Sequence, residues 1–458
     1  MLVSAVDIGS TSIKACVFEL GNDGSALLKV GYSKECPLLH LNGDWYDHDL
    51  TAARWAFQEL LERLPRDVPI GLSTAMHALV PLDVAGRPLC NAISWADGRS
   101  SEQAKRLRRL LPTISETTGT PIHPMAWPSK LLWIKEQRPD WWSQLRGLTD
   151  LKSYLLSELA GRAVPLDISS ASATGLWDQQ AQCWSSELCD FLELEDSRLP
   201  EVSSDSGYAL ELAGRQVYLG AGDGPLGNLG TGAVIPGRVA VSVGTSGACR
   251  RFCDTWSPPP KGLFRYHLDS SRWVEGGAIS NGGSVLSKLS RDSGHSPQEL
   301  LELLVGGEPG ARGFRVYPYY QGERAPFWLP GVRPAELGRR CAHTLADEVR
   351  ANLEAVAYSL QRLLTMMPSN DEPLRCTGGM FASPIWCQLL ADVTGRNVAV
   401  SPEGQATALG AALMTQPDYL DRSRLLKAGR VTLPGLKTHS LYRELYDEWA
   451  DGDPYRCP

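Results

Sequence analysis

Two short turns rich in glycine and hydroxyl residues stand far apart in this chain. They are Asp7-Ile8-Gly9-Ser10-Thr11-Ser12-Ile13-Lys14 and Val243-Gly244-Thr245-Ser246-Gly247. Each follows an apolar run, Leu2 to Val6 and Val239 to Val243, and so reads as a strand entering a tight turn. Glycine lets backbone approach an anion closely, and successive N–H groups with Ser or Thr hydroxyls then hold phosphate oxygens. One such turn in each half points to a duplicated fold with a nucleotide between the copies. Only the first turn carries a carboxylate, Asp7, suited to a hydrated Mg2+.

A second carboxylate, Asp223, is set among glycines in Gly220-Ala221-Gly222-Asp223-Gly224-Pro225-Leu226-Gly227. Gly222 to Gly227 satisfies GxGxxG by letters. A dinucleotide site is excluded by Pro225 inside the turn and by the lack of an acidic residue about 20 positions later. The glycines leave room for a substrate to reach Asp223. A carboxylate there suits a general base that takes a hydroxyl proton as the oxygen attacks phosphorus. The competing reading is an Asp that caps the following helix. A third segment, Thr377-Gly378-Gly379-Met380-Phe381-Ala382-Ser383, offers glycine backbone that lies flat against an adenine. Its competing reading is a strand–helix turn with Ser383 and Pro384 starting the helix.

The elements that must position these residues alternate. Residues 1–20 read as strand, turn, strand. Pro69–Ser73, Leu79–Asp83, Asn91–Trp95, Val217–Ala221, Val239–Val243 and Trp273–Gly276 read as further strands. Helical spacing marks Ser101–Leu111, Ser129–Glu136, Leu151–Leu159 and Leu345–Met367. In the last, Val349, Leu353, Val356, Leu360 and Leu363 form one apolar, core-facing stripe. The alternation predicts an α/β fold with mixed sheets covered by helices. Gly and Pro cluster at 230–237, which places a boundary between lobes 1–235 and 236–458 around a cleft.

The 458 residues suffice for two large domains, and a net charge of −7 without a polybasic patch argues against nucleic acid. No basic and apolar leader and no apolar stretch near 18 residues is present, so neither signal peptide nor membrane span is expected. The 11 cysteines are scattered with no CxxC, the usage of reduced cytoplasmic thiols.

From Val6 to about Leu445 the chain resembles the FGGY family of carbohydrate kinases, and the motifs keep the family's order. Residues 7–14 are similar to its first phosphate motif, Ser73-Thr74-Ala75-Met76-His77 to its sugar-contact strand, and Ile93-Ser94-Trp95-Ala96-Asp97-Gly98-Arg99 to the segment after it. Gly220 to Gly224 is similar to the catalytic-base motif, and Val243 to Gly247 to the second phosphate motif. Gly322-Glu323-Arg324-Ala325-Pro326 and Thr377-Gly378-Gly379 complete the set. Thr118 to Met125, Ser170 to Gly175 and Gly276 to Gly283 look most like the gluconate kinases.

The resemblance implies an actin-like, hexokinase-like ATPase fold and phosphorylation of a sugar acid, D-gluconate, by ATP with Mg2+. It implies a homodimer in the cytoplasm. It assigns Asp223 as base and Asp7 as the metal residue. Nucleotide contacts fall to Gly9, Ser10, Thr11, Ser12, Lys14, Gly244, Thr245, Ser246, Gly378, Gly379 and Met380. Substrate contacts fall to Met76, His77, Trp95, His123, Lys130 and Lys152. A carboxylate substrate needs a cation, and Lys152 stands where polyol-phosphorylating relatives tend to carry an acidic residue. The rivals are a kinase for a neutral ketose or polyol such as xylulose, and a non-catalytic actin-like scaffold. Three departures from the family pattern stand out. Trp127 lies beside Lys130 and is expected to bear on substrate choice. Arg333-Pro334 and Arg339-Arg340-Cys341 are expected to affect the second lobe.

Overall fold

The computed structural model describes residues 1–455 apart from 206 and 403. Two large mixed sheets dominate. The first contains β1 (Leu2–Ile8), β2 (Ser12–Leu20), β3 (Ala26–Glu35), β4 (Ile70–Thr74), β5 (Ala209–Leu212) and β6 (Arg215–Gly222), in the order β5-β6-β4-β1-β2-β3. The second contains β7 (Val239–Val243), β8 (Gly247–Cys253), β9 (Phe264–Asp269), β10 (Arg272–Ile279), β11 (Leu374–Thr377), β12 (Val398–Val400) and β13 (Val431–Thr432). Its order is β9-β10-β8-β7-β11-β12-β13.

The two sheets share a plan. Each has an antiparallel hairpin, β1–β2 or β7–β8, whose first strand pairs in parallel with a later strand, β4 or β11. β1 and β7 are near-continuous Val, Ala and Ile runs because both of their faces are covered. Strands expected from the sequence all form, with ends displaced by a few residues, as hydrophobic pattern marks a segment better than its ends.

Helices cover these sheets. Those bearing on function are α1 (Trp127–Gln137), α2 (Leu151–Ala160), α3 (Asp223–Thr231), α4 (Leu345–Met366) and α5 (Ala406–Leu413). Val349, Leu353, Val356, Leu360 and Leu363 of α4 are all fully buried, and Thr344 with Asp347 closes a capping box at its start. Between β4 and β5 the first lobe inserts a subdomain of small sheets and helices. Its own core includes Trp127, Leu131, Trp133, Leu148 and Ile168.

The halves meet where α3 crosses α5. A Cβ on Gly230 would lie 1.8 Å from the Ala406 carbonyl oxygen, and one on Gly410 2.1 Å from that of Leu226. Only glycine permits so close an approach. At the rim, Arg108 of the inserted subdomain donates to the carbonyls of Ile122 and Trp328, both at 2.8 Å, tying it to the second lobe. No helix of the described residues is long and apolar enough to cross a membrane.

Candidate active site

Asp7 and Asp223 come from neighbouring ends of one sheet. Asp7 is near the end of β1, level with Ser73 on β4 and Lys14 on β2. Asp223 follows directly on β6, which runs parallel to β4, so both carboxylates emerge where the strands' carboxyl ends open a crevice. Asp223 is the first residue of α3. The cap is Gly222, which has no side chain, so the capping role is not taken by Asp223.

Asp223 lines a cavity of about 190 Å³ between the lobes with Ser10, Met76, His77, Trp95, Met125, Ser246, Arg250, Tyr266, Arg324 and Trp328. Burial raises its pKa to about 6, with Asp7 adding to the rise and Arg250 opposing it. Burial likewise raises that of Asp7, whose Oδ1 is enclosed and lacks a hydrogen-bond partner among the described residues.

The sugar-side rings are held rigidly. His77 Nδ1 lies 2.6 Å from the Ala173 carbonyl, which only accepts, so Nδ1 carries the ring proton and Nε2 is left as an acceptor. Burial and the charge of Lys130 lower the His77 pKa to about 3, which keeps the ring neutral. Trp95 donates from Nε1 to Ser10 Oγ at 2.7 Å and lies under the Arg324 guanidinium at 5.0 Å. His123 stands one layer back, accepting from the Met125 N–H, with its ring edge-on to Trp328 at 5.6 Å.

Two predicted substrate contacts are corrected by burial. Lys152 is fully enclosed beneath the sheet. It forms an ion pair with Asp167 at 2.7 Å and donates to the Leu219 carbonyl at 2.7 Å. Lys130 is also fully enclosed, donating to the carbonyls of His77 at 2.6 Å and Ile93 at 3.1 Å. Neither ammonium lines the cavity. Trp127 is no specificity element either, because it is fully buried and its Nε1 donates to the Ala78 carbonyl.

The cations that do face the cavity are Arg250 and Arg324. Arg250 projects from β8 and donates to Ser242 Oγ at 3.2 Å, and Arg324 donates to the Ile279 carbonyl at 3.0 Å. The Nε of each is enclosed and has no hydrogen-bond partner among the described residues. Arg250 fits because Gly224 has no side chain; a Cβ there would come within 3.2 Å of its Nε. Two guanidinium groups lining a polar cleft suit an anionic ligand. The Arg324 motif was visible in the sequence. Arg250 was not singled out, although it follows the second phosphate turn at hairpin spacing.

The phosphate turns close as expected of tight hairpins. Gly9 N–H donates to the Ser12 carbonyl at 3.1 Å, and Gly244 N–H to that of Ser246 at 2.9 Å. Gly282 and Ser284 N–H both reach the Thr245 carbonyl, and Gly283 N–H that of Gly244, so a third glycine segment braces the second turn. Thr11, Gly244 and Thr245 are exposed, which leaves them open to a ligand. Lys14 Nζ lies 3.4 Å from Gln405 Oε1, spanning the two halves. Gly378 packs on Val243, and Gly379 has open space where a Cβ would stand, with Met380 beside it. Ser383 caps the helix that Pro384 begins, so the turn reading of that segment holds as well. The unusual segment 333–341 lies on the outer second lobe, where Arg339 pairs with Glu336 and Glu348.

Two buried carboxylates, two arginines and two glycine-hydroxyl turns together suit phosphoryl transfer. Comparison with known proteins agrees. The model of the N-terminal domain of the FGGY family of carbohydrate kinases matches residues 2–215, and that of the C-terminal domain residues 239–416. This chain therefore belongs to the FGGY family of carbohydrate kinases, ATP-dependent enzymes that phosphorylate a hydroxyl group. It is 32% identical to a gluconokinase of Bacillus subtilis, over 89% of this chain and 86% of that protein. The structure of a ligand-bound xylulose kinase from Lactobacillus acidophilus superposes with a TM-score of 0.90 at 25% identity, covering 98% of this chain and 97% of that one. A gluconate kinase from the same organism gives 0.89 at 25% identity with the same coverage.

Proposed function

We propose that this enzyme transfers the γ-phosphoryl group of ATP to the terminal hydroxyl of D-gluconate, giving 6-phosphogluconate and ADP. The observation that carries the choice of a sugar acid is the pair Arg250 and Arg324, two guanidinium groups that both line the acceptor cavity. A substrate carboxylate offers these guanidinium groups a charge-matched acceptor that a neutral sugar lacks. The likeness to a gluconokinase at 32% identity supports the same choice.

In the proposed reaction Asp223 accepts the proton of the attacking hydroxyl. A bond forms between that oxygen and the γ-phosphorus, and the bond from the γ-phosphorus to the bridging oxygen breaks, releasing ADP. With a pKa of about 6, Asp223 is mostly ionised at neutral pH yet basic enough to hold the proton. Neutral His77 accepts from a sugar hydroxyl at Nε2, while Trp95 gives the sugar a flat apolar wall. The turns at Gly9–Ser12 and Gly244–Ser246 hold phosphates, with Lys14 beside the first and Gly378, Gly379 and Met380 against the base. Lobes 1–235 and 236–458 close on the pair of substrates and exclude water.

The residues present fit Mg2+. Asp7 Oδ1 has no hydrogen-bond partner among the described residues. That matches an ion held through water by one carboxylate and by substrate phosphates. When bound, Mg2+ neutralises charge on the transferring phosphates.

The likeness to a xylulose kinase favours a second reading, a neutral ketose in the same cleft. ADP release with Mg-ATP, measured against D-gluconate, other aldonates, xylulose and glycerol, decides between them. Turnover confined to gluconate supports the proposal, and turnover on xylulose with none on gluconate overturns it.

A further inference from the structure

We infer that Lys130 is a positioning residue whose ammonium ties together the two segments carrying His77 and Trp95, and so sets the ring edge that His77 presents to the sugar. The inference rests on the proposal that His77 contacts the acceptor. His77 has a φ of 69°, in the left-handed region that a residue with a side chain keeps only when its surroundings enforce it. The enforcing bonds are on both sides of its Cα. The ring is fixed by Nδ1 to the Ala173 carbonyl, and the backbone by its own carbonyl, which accepts from Lys130 Nζ at 2.6 Å. The same ammonium donates at 3.1 Å to Ile93, two residues before Trp95. One cation thus reaches both walls of the cavity from behind.

Its setting argues against a role in stability alone. Lys130 is fully buried in α1, where an ammonium is costly, and burial lowers its pKa to about 7. The nearby carboxylates Asp47 and Asp97 are already engaged by Arg99, with His48 neutral alongside. Lys130 therefore spends its donors on backbone carbonyls. A compact ammonium with three donors is the side-chain end suited to bridging two carbonyls on separate segments.

Lys130→Met preserves length and removes the donors. Its KM for the sugar acid is expected to rise about tenfold, as displaced binding groups cost that much or more, while the KM for ATP stays within about twofold. Spectra of the ¹⁵N-histidine-labelled protein should show His77 losing its single Nδ1–H tautomer. Lys130→Gln, whose amide still donates two protons, should recover part of the loss; it also carries the test if the methionine variant fails to fold. Because Lys130 acts through His77, Lys130→Met with His77→Gln should be no worse than His77→Gln alone. Additive losses, an unchanged sugar KM or an unchanged tautomer in Lys130→Met each overturn the inference. If His77→Gln itself leaves the sugar KM unchanged, it is the reading of His77 as a sugar contact that fails. The tautomer measurement then still decides whether Lys130 controls the ring.

Discussion

In the first lobe the hairpin carries Asp7 just before Ile8-Gly9, beside Ser73 on the parallel neighbour; in the second it carries Ser242 before Val243-Gly244, beside Thr377. The same correspondence continues one strand further out. β6 leads into α3, which opens on Asp223, whereas β12 leads to α5, which opens on Ala406 with Gln405 as its cap. Both carboxylates thus belong to one half. The repeated scaffold supplies two glycine-hydroxyl turns, and in the proposed reaction the proton acceptor and the metal residue are needed on one side only. A second pair of carboxylates would repel the phosphates. At the serine position the second half instead anchors a cation, Arg250, by a hydrogen bond to Ser242.

This asymmetry is broken most severely by Asp223→Asn, which keeps shape and removes the base. The kcat should fall about 10³-fold with ATP affinity retained, and near-normal turnover would mean that Asp223 is not the base. Next comes Arg250→Met. Losing a charge-assisted contact worth about 2 kcal/mol should raise the KM for gluconate roughly thirtyfold, and that for a neutral polyol much less. Equal losses on both substrates would return Arg250 to a general electrostatic role.

A smaller effect separates the titrations. Asp223, with its pKa raised to about 6, must be ionised to act, so kcat/KM should drop as pH falls through about 6, by tenfold per unit below it. His77, held near 3, adds no second inflection above pH 5. A steeper limb would assign a second proton to the site. Smallest in catalysis is Lys152→Met. It leaves Asp167 buried and unpaired, so stability to denaturant should fall by roughly 3 kcal/mol while the KM for gluconate changes by less than twofold. A large rise in KM would restore Lys152 to the substrate site.

The turns, the strand–helix alternation and Asp223 were legible because each depends on residues adjacent in the chain. Glycine next to hydroxyls, or an apolar run next to glycine, announces its backbone locally. The places of Lys152, Trp127 and Arg250 were not legible for the opposite reason. Lys152 read as a free charge because its partner Asp167 caps a separate short helix and approaches only when α2 packs under the sheet. Trp127 looked like a substrate-side substitution, but its indole fills the inserted subdomain's core. Arg250 could be placed in the cleft only once hairpin register set Ser242 opposite Ala248, bringing the arginine within reach of the serine hydroxyl. Sequence proximity to a motif identified the site's backbone; pairing across strands decided which charges entered it.

The bare crossing at Gly230 and Gly410 has a mechanical consequence. With backbone resting on backbone, α3 and α5 meet at a rivet that has no slack, two helical turns from Asp223. A methyl group at either point would act as a wedge at the hinge end of a pair of shears, and the blades would part widest at the tips. The spacing of the two halves is therefore fixed at this joint, and a second tie stands at the rim, where Arg108 reaches the Trp328 carbonyl.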